Sequence, residues 1–203
     1  MTHARRAAVC SAAALALLVG CATAPSKFYA LNSTATVDAA PPAPYAVLVG
    51  PVSIPASVDR PEFVVEVAPN RVELDEFNRW ASPLNDGIAR AVAGNLAMLL
   101  TSPDVAVAPL ANFHPDFRVT INVQRFESVA GKSVLIDAVW AVHPSAGVAT
   151  RSGRTTAREA VSEESYDALA AAHSRALAQL SGDIATAIRS APPRAPTEAR
   201  RQR

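Results

Sequence analysis

Cysteine is nearly missing from this chain: only Cys10 and Cys21 occur in 203 residues, both near the N-terminus. A fold stapled by disulfides is therefore excluded. Aromatics make up 5% and glycines number eight, which excludes a collagen-like or repeat architecture. Charge of one sign is also lacking. With 19 basic and 18 acidic residues the formal net charge is +1, so no Lys/Arg-rich surface is available to face nucleic-acid phosphates. Long apolar runs are missing too. The longest, Ala7 to Val19, has Ser11 as its only polar interruption. In a helix it would span roughly 20 Å, short of a ~30 Å hydrocarbon core.

Enzyme signatures are equally scarce. The chain holds no GxSxG elbow, no HExxH, no GxGxxG after a strand and no phosphate-binding loop. His114, His143 and His173 are scattered, none with a second ligand-type residue at metal spacing. His173 falls on the apolar stripe of a predicted helix, where a satisfied boundary histidine is expected. Asp75-Glu76 is read as a solvated pair, with Asp75 capping a short helical turn. No catalytic, metal-binding or cofactor-binding residue is assigned, and a non-enzymatic protein without cofactor is expected.

What is present begins at the N-terminus. Arg5-Arg6 precede the apolar run, which ends Leu18-Val19-Gly20-Cys21. A positive start, a short apolar core and a small residue before cysteine resemble a bacterial lipoprotein signal. The chemistry needs a thiol to carry diacylglycerol and a small residue where the peptidase cuts. Residues 1–20 are thus expected to be removed and Cys21 to be lipidated, leaving a mature chain without a free thiol. Acyl chains contribute ~0.8 kcal/mol per buried CH₂, and more than one gives lasting anchorage. Ala22 follows the cysteine in place of Asp, which by resemblance to the lipoprotein sorting pattern favours the outer membrane.

Residues 21–44 are rich in Ala, Pro, Ser and Thr and read as a semi-rigid tether, interrupted by an edge-strand candidate at Lys27-Phe28-Tyr29-Ala30-Leu31. Residues 190–203 form an Arg/Pro-rich tail expected to be disordered. Between them, 45–189 is long enough for one core. Tyr45 to Val49 is continuously apolar, as in a strand covered on both faces. Glu62 to Val67 and Arg71 to Leu74 flank Pro69-Asn70 as a hairpin. Leu84, Ile88, Val92, Leu96 and Leu99 make one helical stripe. Asp104 to Ala108 reads as a short strand. Phe117 to Gln124 alternates and is read as an internal strand rather than a sheet edge open to a partner, with a bulge at Gln124-Arg125-Phe126. Val134, Ile136, Ala138, Trp140 and Val142 share the face of the next strand, and another runs from Val148 to about Ala160. Tyr166 to Ile188 is the last helix. The expected fold is α/β: a single layered domain with a mixed, largely antiparallel sheet packed by two main helices.

Two segments stand out: Glu76 to Leu84, with Arg79-Trp80 ahead of a helix, and the small-residue-rich stretch Ala171 to Ala185. Arg and Trp together are the residue types of interface hot spots. Two readings stand for the pair: a partner interface, or Trp80 filling the core with Arg79 beside it. Several collinear motifs are similar to those of the PqiC-type (YmbA-like) lipoproteins, also described as ABC-type transport auxiliary lipoproteins. They are the lipobox, Phe28 to Leu31, Val49-Gly50-Pro51-Val52 with Ile54-Pro55 and Arg60-Pro61, Phe77 to Leu84, Gln124 to Glu127, and Ser174 to Leu180. The resemblance implies a subunit of an MCE-type intermembrane lipid transport system, anchored in the outer membrane and supporting envelope integrity. It also implies a PqiB-like MCE-domain partner with its inner-membrane components, and a homo-oligomeric ring around that partner. An auxiliary role for another ABC exporter, or a stand-alone lipid-binding protein, are the alternatives.

Overall fold

A computed structural model describes residues 25–37, 39–145 and 149–190. The signal segment 1–20, Cys21, the start of the strand predicted from Val148 and the tail beyond Ser190 lie outside the described residues. Ten elements follow in chain order: β1 Lys27–Tyr29, β2 Val47–Ser53, β3 Glu62–Ala68, β4 Arg71–Trp80, α1 Leu84–Leu100, β5 Val105–Val107, β6 Phe117–Val129, β7 Ser133–Pro144, β8 Arg151–Ala160 and α2 Tyr166–Arg189. The molecule is α/β, with its strands divided between two mixed sheets. One has five strands in the order β5-β2-β6-β7-β8, the other three in the order β1-β4-β3.

In the larger sheet β2 lies parallel to both β5 and β6, while β6-β7-β8 is an antiparallel run. A central position explains the unbroken apolar run of β2, where Val47, Leu48 and Val49 are all buried. Strand β6 alternates as expected up to Val123, and the register slips between Val123 and Arg125. The two helices cover one face. Leu84, Ile88, Val92 and Leu96 of α1 and Leu169, Leu177, Leu180, Ile184 and Ile188 of α2 are each at most 2% exposed. They meet Val134, Ile136, Ala138 and Val142 of β7 in the same core. Ser165 caps α2 by accepting the Ala168 amide at 3.1 Å. Thr101, at φ 53°, ends α1 in the left-handed region.

Residues 27–35 belong to the packed body. Tyr29 and Leu31 are buried, and the chain then crosses both helices. Asn32 N–H donates to Ser174 Oγ at 3.1 Å, and the Thr34 and Ala35 amides donate to Asn95 Oδ1 at 2.8 and 2.9 Å. Asn95 is completely buried in α1, and its Nδ2 donates to Ser181 Oγ of α2 at 3.2 Å. The small residues of α2 thus let the helices and the N-terminal segment approach closely. A Cβ added at Gly94 would come within 2.8 Å of Ser33 Cβ.

Candidate functional site

The smaller sheet is built around a hairpin. β-Branched and aromatic residues favour extended backbone in Glu62 to Ala68, and Asn70 takes φ 66° in the turn to β4. The sequence reading stops the second strand at Leu74, whereas β4 runs on to Trp80. The reason is Asp75, which caps no helical turn. Its Oδ1 accepts the amides of Phe77 and Asn78 at 2.8 and 2.9 Å, and its Oδ2 accepts Asn78 Nδ2 at 2.9 Å. The side chain thereby replaces ladder partners across a bulge between the pairs Glu62↔Arg79 and Phe63↔Asp75. Burial alone would raise the Asp75 carboxyl, but bonds from Tyr166, Asn78 and the two amides hold it below its ordinary value. Burial and the Asp75 carboxylate push the Tyr166 hydroxyl above its ordinary value.

The inner face of this sheet is aromatic. Trp80 stacks on Phe63 with ring centroids 4.3 Å apart, and Phe63 meets Tyr29 and Tyr166 edge-on. Trp80 is 6% exposed, which places it in the core. Its neighbour Arg79 turns to the opposite face and pairs with Glu62 at 3.0 Å. The structure therefore separates the two residues that the sequence grouped as an interface pair, leaving only Arg79 within reach of solvent. Behind Trp80 lies His173, fully buried and stacked on Phe126 at 3.9 Å. Its Nε2 meets Ser128 Oγ at 2.8 Å, whereas Nδ1 has no partner. Burial pushes its pKa down to about 3, so the ring is neutral and serves packing. His173 is thus a core residue, more deeply sealed than the boundary position read from the helical stripe.

Between the two sheets runs a groove. Strand β2 ends opposite Asn122, so the second half of β6 is hydrogen-bonded to β7 on one side only. Its other edge faces β3, and among the described residues no backbone hydrogen bond joins them. The gap is a half-open groove of about 390 Å³. Val58, Val64, Val72 and Phe126 supply its apolar wall, and Glu66, Arg71, Arg125 and Glu127 its charged rim. Arg125 grips Glu127 through two bonds, Nε to Oε1 at 2.6 Å and a terminal nitrogen to Oε2 at 2.8 Å. The internal-strand reading of Phe117 to Gln124 holds as far as Asn122, and the edge opens just beyond it. No sequence pattern marks this groove, because its two walls lie about sixty residues apart in the chain; the bulge at Gln124-Arg125-Phe126 is the nearest signal.

An unpaired strand edge beside an apolar wall can accept an extended segment or an apolar group. Among the described residues no three His, Cys, Asp or Glu side chains gather as a metal-ligand set. No helix of the described residues is long and apolar enough to cross a membrane.

The model of a family described as the ABC-type transport auxiliary lipoprotein component matches residues 29–185. That span begins inside β1 and ends within α2, taking in both sheets and the groove. A crystal structure of a Xanthomonas campestris protein assigned to the DUF330 family is similar in fold. Its TM-score is 0.65 at 24% identity, over 79% of this chain and 93% of that one. A second crystal structure, of an uncharacterized protein, gives 0.60 at 22% identity, over 81% and 99%. No curated protein matches the sequence.

Proposed function

This chain belongs to the ABC-type transport auxiliary lipoprotein component family, and on that premise we propose that it is a non-enzymatic, lipid-anchored subunit of an MCE-type intermembrane lipid transport system. The observation that carries the proposal is a family match over 29–185 that starts eight residues after a cysteine in a lipobox. Acylated at Cys21 and directed outward by Ala22, the domain sits at the periplasmic face of the outer membrane. There it docks or caps the periplasm-spanning MCE protein, and so supports envelope integrity. The groove between β3 and β6 is the place where that partner, or a second copy within a ring, adds an extended segment. Arg125 and Glu127 on the β6 rim then select the partner by charge while the open β6 edge supplies main-chain hydrogen bonds.

Crosslinking the full-length lipoprotein in cells, separating the two membranes and identifying the captured proteins by mass spectrometry tests this. Capture of an MCE-domain protein in the outer-membrane fraction is expected. Capture of the components of a different ABC exporter, or of none, would overturn the assignment to this machine while leaving family membership intact.

A further inference from the structure

We propose that the β3–β4 hairpin is a membrane-contacting element, its tip resting in the headgroup–acyl boundary of a zwitterionic phospholipid bilayer. The inference rests on the lipidation of Cys21 proposed above and adds an orientation to it. Its basis is the direction in which the chain enters the fold. β1 runs parallel to β4 with Lys27 opposite Asn78, so the N-terminal chain arrives at β1 from the side toward which the hairpin tip projects. Lys27 follows Cys21 by six residues, and Asn78 follows Val72 by the same number. Six residues reach at most about 20 Å when extended. The acylated end therefore cannot lie much farther from Lys27 than Val72 does, and the domain cannot stand away from the bilayer on a long tether.

The surface presented on that side fits a membrane. Of the nine large apolar side chains exposed among the described residues, five lie on this small sheet: Phe28, Val67, Val72, Leu74 and Phe77. Phe28 is 64% and Val72 56% exposed. The register puts Phe28 on the face of Arg79 and Glu62, and carries that face on to Val64, Leu74 and Val72. Phe28 and Phe77 stand where interfacial aromatics collect, farther from the tip, while Val67 and Val72 flank the turn. The charged groups near the tip are Arg71, Glu66 and Glu73, with a net charge of −1, which fits a zwitterionic headgroup layer better than an anionic one. An exposed apolar patch of this kind on a small domain marks a contact surface, and the six-residue link says which surface it meets.

The test uses the acylated protein purified from membranes, with the lipid on Cys21 confirmed by intact mass. It is reconstituted into phosphatidylcholine–phosphatidylethanolamine vesicles. Variants Val67→Cys and Leu74→Cys carry a polarity-sensitive fluorophore on the new thiol, and Val139→Cys, exposed on the larger sheet, is the reference. Brominated lipids are expected to quench the two hairpin labels at least threefold more than the Val139 label, at every protein density. Equal, weak quenching at all three sites on vesicle-bound acylated protein would overturn the orientation and leave the anchor standing. A hairpin signal that grows with protein density without brominated lipid would assign this face to a second copy instead. An unmodified Cys21 with no vesicle association would remove the anchor, and the proposal with it.

Discussion

The two sheets treat the same kinds of residue in opposite ways. Under the helices, Val134, Ile136, Ala138 and Val142 of β7 are at most 1% exposed and share one core with the leucines, isoleucines and alanines of the helices. In the hairpin, Val67, Val72, Leu74 and Phe77 keep between 39% and 56% of their surface in solvent. The larger sheet finishes its polar groups as well: Asp137, 4% exposed, is held by Arg154 through bonds of 2.8 and 2.5 Å. The smaller one walls the far side of the groove that begins where the β6 edge opens beyond Asn122. Stability is concentrated in the first region, and contact surface in the second. The difference separates what the fold needs from what remains for partners and membrane.

The largest effect expected from breaking this contrast is in the helix-covered core. Ile184→Ala should cost about 2–5 kcal/mol, because a fully buried side chain leaves a cavity. Leu74→Ala in the hairpin should cost no more than ~0.5 kcal/mol, as for exposed sites generally. Chemical denaturation of both variants checks the pair, and equal losses would dissolve the distinction. Next comes the polar staple. Asn95→Ala strips the Thr34 and Ala35 amides of their acceptor and should cost about 2 kcal/mol. Hydrogen exchange at those two amides should rise by more than at Val119 of β6, and unchanged exchange would mean the N-terminal segment is held by packing alone.

Acid should weaken the core through His173. Its folded pKa of about 3 lies below the ordinary 6.5, so the unfolded chain binds the extra proton between those values. Stability from this group is complete above pH 6.5 and falls as pH drops toward 3, by about 1.4 kcal/mol per pH unit. The variant His173→Phe should lose that part of the slope between pH 6 and 4.5, read from denaturation midpoints. An unaltered slope would show that the ring is protonated in place. A small stability effect is also expected at Arg79. Its pairing with Glu62 is half-exposed, so Arg79→Ala should cost less than about 1 kcal/mol while weakening partner capture. A loss of several kcal/mol would make the pair structural.

Much of this arrangement is legible in sequence where burial has a period. The stripe Leu84, Ile88, Val92 and Leu96 predicts α1, and alternation from Val134 to Val142 predicts the inner face of β7. Periodicity carries no information on partners. The parallel neighbours of β2 are Val105 to Val107 and Phe117 to Asn122, each more than fifty residues away. Asp75 reads as a helix cap because the amides two and three residues on are what a cap would take; only the strand around it makes the same bonds a bulge. Arg79 and Trp80 look like one feature in the chain, yet strand alternation sends them to opposite faces. The groove was illegible for a simpler reason: it is the absence of pairing between β3 and β6, and an absence between distant segments leaves no local pattern.

The most direct measurement is site-specific photocrosslinking in intact cells. A photoreactive residue replaces Glu127 on the groove rim in one variant and Val139, farther along the same face of the larger sheet and outside the groove, in another. The account predicts that the Glu127 position captures the MCE-domain partner or a second copy of this chain, and that the Val139 position captures neither. Capture from Val139 with none from Glu127 would contradict it, placing the working surface away from the groove.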